Sequence, residues 1–163
     1  MKNRMFLLAG LTAFGLFAGA CQLDVERNDD GSFQIEAIIE ESDIATEIAL
    51  GMAAEEGNVT VDLKDGYALI AATGPSEDHP RTDSFSFRLE LFVVDGHLGA
   101  DISDAKWNDF DVPQGMIDIW NEDLAKELEA GAKEDPDSTL VAVDITEDQL
   151  RFEFRHETEE SKN

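Results

Sequence analysis

The chain has 163 residues, 42% of them hydrophobic, with 12 Lys and Arg against 37 Asp and Glu and a formal charge of −25. That length suits one domain with a core large enough to need no staples. A single cysteine, Cys21, excludes an intrachain disulfide, and the acidity excludes nucleic acid as a partner, because phosphates would be repelled.

The first element in chain order is a leader. Lys2 and Arg4 precede an uncharged apolar run from Met5 to Phe17, and the small residues Ala18, Gly19 and Ala20 stand directly before Cys21. This is the layout of a secretory signal, and it is too short for a comfortable membrane span. The run ending on cysteine resembles the bacterial lipobox. The resemblance implies cleavage before Cys21, acylation of its thiol, and export to the extracytoplasmic side of a bacterial membrane. The competing reading is an ordinary signal with Cys21 an incidental thiol. Acylation removes an unpaired thiol from an oxidising space, and several acyl chains anchor stably where one is marginal. Gln22, not Asp, follows the cysteine, and resemblance to the usual sorting pattern then implies the outer membrane if the cell has one. The leader holds two of the twelve basic residues and no acid, so residues 21–163 carry ten basic against 37 acidic side chains, a formal −27. Such a surface disfavours close contact with anionic headgroups except through the anchor.

Residues 21–32 read as a tether or a first strand. Leu23 and Val25 alternate, Asn28-Asp29-Asp30-Gly31 offers a turn, and Phe33, Ile35 and Ala37 alternate again. Ser42 is placed to cap a helix with Asp43 in its first turn, followed by Ile44, Ile48 and Met52 at helical spacing and Gly57 as a stop. Val59, Val61 and Leu63 alternate up to Asp65-Gly66, and Tyr67, Leu69 and Ala71 continue beyond it, which predicts a hairpin. Residues 74–83 hold two prolines and read as a loop. Phe85, Phe87, Leu89, Leu91 and Val93 form the clearest strand, turned by Asp95-Gly96 into a partner with Leu98, Ala100 and Ile102.

Trp107, Phe110 and Val112 make an apolar edge before Pro113, a residue suited to the first helical position. Met116, Ile117, Trp120, Leu124 and Leu128 then share one helical stripe, which Gly131 is expected to end. Val141, Val143 and Ile145 alternate to a turn at Thr146-Glu147-Asp148, and Leu150, Phe152 and Phe154 complete a last hairpin. Residues 156–163 read as a polar tail. Tight turns imply antiparallel strands, and two amphipathic helices must bury their stripes. The expected fold is therefore α+β: one domain over 33–155, with a curved antiparallel sheet of about six to eight strands and two amphipathic helices packed on one face.

No catalytic constellation stands out. His79, His97 and His156 have no metal-ligand spacing, and the chain lacks a nucleophile elbow, a P-loop and a zincin motif. The chain is read as non-enzymatic, with no cofactor. Glu26, Asn28 and Asp30 alternate before Gly31 as in the first half of an EF-hand loop, but position twelve falls on Ala37, so a solvated turn is the better reading and no metal is assigned. A second acidic stretch, Asp101, Asp104, Asn108, Asp109 and Asp111, surrounds Trp107.

Apolar groups carry the remaining signal. Trp107, Phe110, Met116, Trp120 and Leu124 gather where the second helix begins, facing strands with Phe85, Phe87, Phe152 and Phe154. They read either as plain core or as the lining of a site for an acyl chain or other apolar ligand. From Val59 to Phe154 the chain is similar in outline to small bacterial envelope lipoproteins of the LmeA-like kind, related to tubular lipid-binding (TULIP-like) domains. The matching segments are VTVDLKDGYALIAA, FSFRLELFVVDGHLGADI, VPQGMIDIWNEDLAKEL and TLVAVDITEDQLRFEF. This resemblance implies a curved sheet wrapped on a long helix and affinity for lipid, and it brings no catalytic residue. The leading functional expectation is a membrane-tethered binding module for a lipid or other apolar envelope molecule. The alternative is an acidic structural or protein-interaction domain with a filled core and weak cation binding.

Overall fold

The computed structural model describes residues 22–44, 46, 58–75, 82–133 and 137–158. The expected leader, Cys21, most of the first expected helix, the expected Gly57 stop and His79 lie outside these residues.

Among the described residues the architecture is α+β, and every strand pairing is antiparallel. The expected single sheet is instead two sheets. The first contains β1 (Gln22–Arg27), β2 (Phe33–Glu40), β8 (Ser138–Ile145) and β9 (Gln149–His156) in the order β1-β2-β9-β8. The second is a meander, β3 (Asn58–Lys64), β4 (Tyr67–Pro75), β5 (Thr82–Val94), β6 (His97–Trp107) and β7 (Phe110–Asp111), in chain order. Residues 41–44 and 46 are helical, and a long helix spans Gln114–Ala132.

Local turn chemistry explains the hairpins. Gly31, Gly66 and Gly96 all have positive φ, and Asp95 joins Gly96 in the left-handed region at φ 50, as a tight hairpin turn requires. Residues 22–27 are therefore a strand rather than a tether. The split into two sheets comes from long-range pairing. β2 pairs with β9 from Phe33↔His156 to Glu40↔Gln149, which joins the two ends of the described chain. Outer groups of β8 are taken by the turns of the other sheet: Gly66 N–H donates to the Ile145 carbonyl at 2.9 Å, and Leu140 N–H donates to the Gly96 carbonyl at 2.7 Å. β8 thus lies across the turn ends of two hairpins, and the β8 edge is covered rather than left open for pairing.

One buried cluster draws on both sheets and the long helix, including Ile39, Leu63, Ile70, Phe87, Ile102, Leu124, Leu150 and Phe152. The inner face follows the expected alternation in β3 and in the first part of β5. Two irregularities break it elsewhere. Between Ser86↔Lys106 and Arg88↔Ser103 an extra residue enters β6, and Asp104 there has φ 50. A second shift, between Leu140 and Ala142, leaves Leu140 buried and the expected Val141 exposed. Each is a bulge, which moves the following side chains to the opposite face.

Element ends also differ from expectation. Ser42 lies inside the first helical turn, not at its cap; Glu41 already donates its N–H to the Asp148 carbonyl and accepts the Leu63 N–H on its carboxylate. Strand β4 extends through Gly74 and Pro75, paired with Asp83 and Thr82, so the loop begins later than the prolines suggested. Pro113 is the N-cap, one residue before the expected position, because its extended ψ of 136° leaves only its carbonyl in the helix. Gly131 lies within the helix, which ends at Ala132. His156 is still in β9, and beyond it Glu157 N–H bonds to Asp137 and Thr158 to the Gly31 carbonyl, so these residues are not a free tail.

Candidate functional site

The five apolar residues picked out by sequence separate into a floor and a surface. Leu124 is fully buried and belongs to the core, together with Ile117 from the same helical stripe. Trp120 is half-buried and packs against that core. Trp107, Phe110 and Met116 are 46%, 77% and 40% exposed. Ile119, which the sequence reading did not select, is exposed beside them in the chain.

The bulge at Asp104 positions this surface. Without the extra residue, Trp107 would point away from Ile102's face of β6. With it, Trp107 stands opposite Phe85 on the inner face. Phe85 then links the two indoles, with ring centroids 5.8 Å from Trp107 and 5.7 Å from Trp120, the latter edge-on at 85°. Edge-to-face contacts of this kind add roughly 0.5–1.5 kcal/mol beyond area burial.

A tight turn presents Phe110 next to Trp107. Asn108 and Asp109 both have positive φ, 50 and 66, a conformation that Asn and Asp tolerate better than other non-glycine residues. The Asn108 N–H donates to the Ser84 carbonyl at 2.9 Å, the Asn108 side-chain oxygen accepts the Ser84 N–H at 2.8 Å, and its amide donates to Asp83 at 2.9 Å. This turn is thereby pinned to the start of β5, and Trp107 and Phe110 face each other as a cross-strand pair. Asp109 and Asp111 flank them, while Lys106 pairs with Asp111 at 3.6 Å.

The helix is docked by a residue the sequence reading passed over. Asn121 accepts the Ile102 N–H at 2.7 Å and donates to the Ile102 carbonyl at 3.0 Å and to Asp101 at 2.9 Å. Its place was visible in the spacing, since Ile117, Asn121, Leu124 and Leu128 recur at i, i+4, i+7 and i+11. A polar residue inside an apolar stripe calls for a partner.

Glu26, Asn28 and Asp30 do not converge as ligands. Glu26 lies in exposed β1, whereas Asn28 and Asp30 both turn to Ser32, which is fully buried. Asp30 accepts the Ser32 hydroxyl at 2.6 Å and the Ser32 N–H at 2.9 Å, and it pairs with Arg155. These bonds, the hydroxyl first and then the Ser32 N–H, with Arg155 adding to them, hold the Asp30 carboxyl below its ordinary range. Asn28, Asp29, Asp30, Gln34, Val141, Glu153 and Arg155 border an open polar depression of about 420 Å³. Its Arg155 is already ion-paired, and Gln34 donates to Glu153 at 2.6 Å. His97 is exposed, and His156 meets the Ser138 hydroxyl at 2.9 Å.

No group of three or more His, Cys, Asp or Glu among the described residues is arranged to hold a metal, and none of the described helices is long and apolar enough to cross a membrane. No known protein family, curated protein or solved structure matches the chain.

Proposed function

We propose that the protein is an exported, lipid-anchored, non-enzymatic module that binds an apolar envelope molecule, a lipid acyl chain above all, on the surface formed by Trp107, Phe110 and Met116. The observation that carries this reading is the exposure of these three large apolar side chains, while Leu124 of the same helix as Met116 is fully buried. Exposed large apolar side chains that gather on a surface mark interaction sites, and here the exposed Asp109 sits in the turn between Trp107 and Phe110. Trp107 and Phe110 stand on a pinned turn, so little ordering entropy is lost when a ligand covers them. Met116 supplies an adaptable edge. The site is read as a platform rather than a tunnel, because Leu124, one of the five candidate lining residues, is part of the core. The leader ending at Cys21 supports placement at a membrane, and the LmeA-like outline supports a lipid as the apolar partner.

Vesicles of phosphatidylcholine with brominated acyl chains test the ligand, using the lipidated protein released in detergent and a soluble brominated fatty acid as competitor. Quenching of tryptophan fluorescence that is strongly reduced in a Phe110→Ser variant, which keeps both Trp107 and Trp120 as reporters, is the expected result. No quenching in the wild type overturns the reading. The anchor is tested separately, by the acyl mass on the peptide that begins at Cys21.

The filled core behind the platform favours a second reading, an acidic interaction domain whose partner is a protein. A cross-link from position 110 to another envelope protein, combined with no response to any brominated lipid, would select it.

A further inference from the structure

Strand β1 begins at Gln22, the residue directly after Cys21. If Cys21 is acylated, no tether separates the anchor from the folded sheet. All six residues of β1 are exposed, and two of them, Leu23 and Val25, are large apolar side chains at 64% and 55% exposure. Leu23 opposes Ala37 and Val25 opposes Ile35, so both lie on the apolar face that continues through Phe152 and Phe154. Asp24 and Glu26 alternate with them onto the opposite face. The strand therefore has one apolar and one acidic side at the margin of the sheet.

We infer that the Leu23–Val25 face of β1 rests on the lipid surface and sets the orientation of the whole domain at the membrane. This inference depends on the anchor half of the function proposed above and is independent of the Trp107 platform. Reach supports it. A strand rises about 3.3 Å per residue, which places Leu23 roughly 7 Å and Val25 roughly 13 Å from Cys21 along the chain. Each interfacial layer of a bilayer is on the order of 5–8 Å thick. Leu23 is thus held within or beside that layer whatever the tilt, and Val25 joins it when the strand lies down. Charge supports the same choice of face. Asp24 and Glu26 are repelled by anionic headgroups, and a formal −27 from Cys21 onward opposes pairing of the β1 edge with a second copy.

Acylation would occupy the only native thiol, so an introduced cysteine can be labelled alone. Lipidated protein carrying Leu23→Cys, Val25→Cys, Asp24→Cys or Glu26→Cys, each with a nitroxide, is reconstituted in phosphatidylcholine vesicles. Power saturation then compares collisions with oxygen, enriched in lipid, and with a nickel chelate confined to water. Labels at 23 and 25 are expected to favour oxygen several-fold over labels at 24 and 26. Equal, water-like accessibility at all four positions overturns the inference and leaves the anchor intact. Dipolar broadening that persists at high lipid dilution assigns the edge to a second copy and also overturns it. An absent acyl mass, with the protein found off the vesicles, removes the anchor reading by a separate signal, and this inference with it.

Discussion

The side-chain amide of Asn121 holds both backbone groups of Ile102, taking its N–H at 2.7 Å and giving a hydrogen bond to its carbonyl at 3.0 Å. On one side Ile102 stands directly opposite Leu89 of β5. Its outer side belongs to a stretch of β6 that β7, only two residues long, does not reach. Asn121 therefore does for this edge what another strand would do, and it fixes the height and rotation of the long helix against the second sheet.

Replacing Asn121 with Ala leaves two partly buried backbone groups without this partner. The expected loss is about 1–3 kcal/mol, from the general cost of an unsatisfied buried polar group. Urea unfolding followed by circular dichroism gives the number. Asn121→Asp retains the acceptor but loses the donor and adds a charge beside Asp101, so it is expected to unfold at lower urea than wild type at neutral pH. An unchanged midpoint in both variants refutes this role.

The division between core and platform predicts a contrast. Leu124→Ala removes a fully buried side chain and is expected to cost about 2–5 kcal/mol. Trp107→Ala and Phe110→Ala remove side chains that already meet solvent, and each is expected to cost well under the Leu124 change. Trp120→Ala should fall between them, since Trp120 keeps an edge-on contact with Phe85. Equal losses at 107 and 124 would mean that Trp107 is core and not binding surface.

Gly96 is required twice over. Its φ of 77 lies in the left-handed region, and a methyl group there would come within 2.8 Å of the Thr139 side chain on β8. Gly96→Ala is expected to destabilise by roughly 1–3 kcal/mol through backbone strain and crowding. Adding Thr139→Ser removes the methyl in the way and should restore only the crowding part. Full recovery in the double variant would show that strain contributes nothing.

Acid should loosen the Asn28–Ser32 turn through Asp30. The folded carboxyl is held below its ordinary value by the Ser32 hydroxyl, the Ser32 N–H and Arg155. A depressed folded pKa gives stability that is present above the unfolded value and is lost as pH falls through the folded one. Asp30→Asn is therefore expected to lower the melting temperature at neutral pH, with the gap to wild type narrowing below the usual carboxylate range. A gap that stays constant from pH 7 to pH 2.5 contradicts the assignment.

Local chemistry was legible in the sequence. Asp65-Gly66 and Asp95-Gly96 name two hairpin turns because few residues accept positive φ, whereas the Asn28–Gly31 run left a tether and a strand both open until the pairing of β1 with β2 decided it. The alternation of Val59, Val61 and Leu63, and of Phe85, Phe87 and Leu89, names strands and their inner faces because side-chain direction has period two. Ile117, Leu124 and Leu128 name the helix face in the same way. Tertiary structure decided what local periodicity does not encode. The pairing of β2 with β9 spans most of the chain and turned an expected single sheet into two. The bulge at Asp104 moved Trp107 to the face of Phe85, and the one near Val141 turned that residue outward, since one added residue reverses every side chain after it. Exposure of Phe110 follows from the turn that Asn108 pins to Ser84, and burial of Leu124 from where the helix settles. That position depends on Asn121 meeting the free edge at Ile102, a contact between residues 19 apart in sequence.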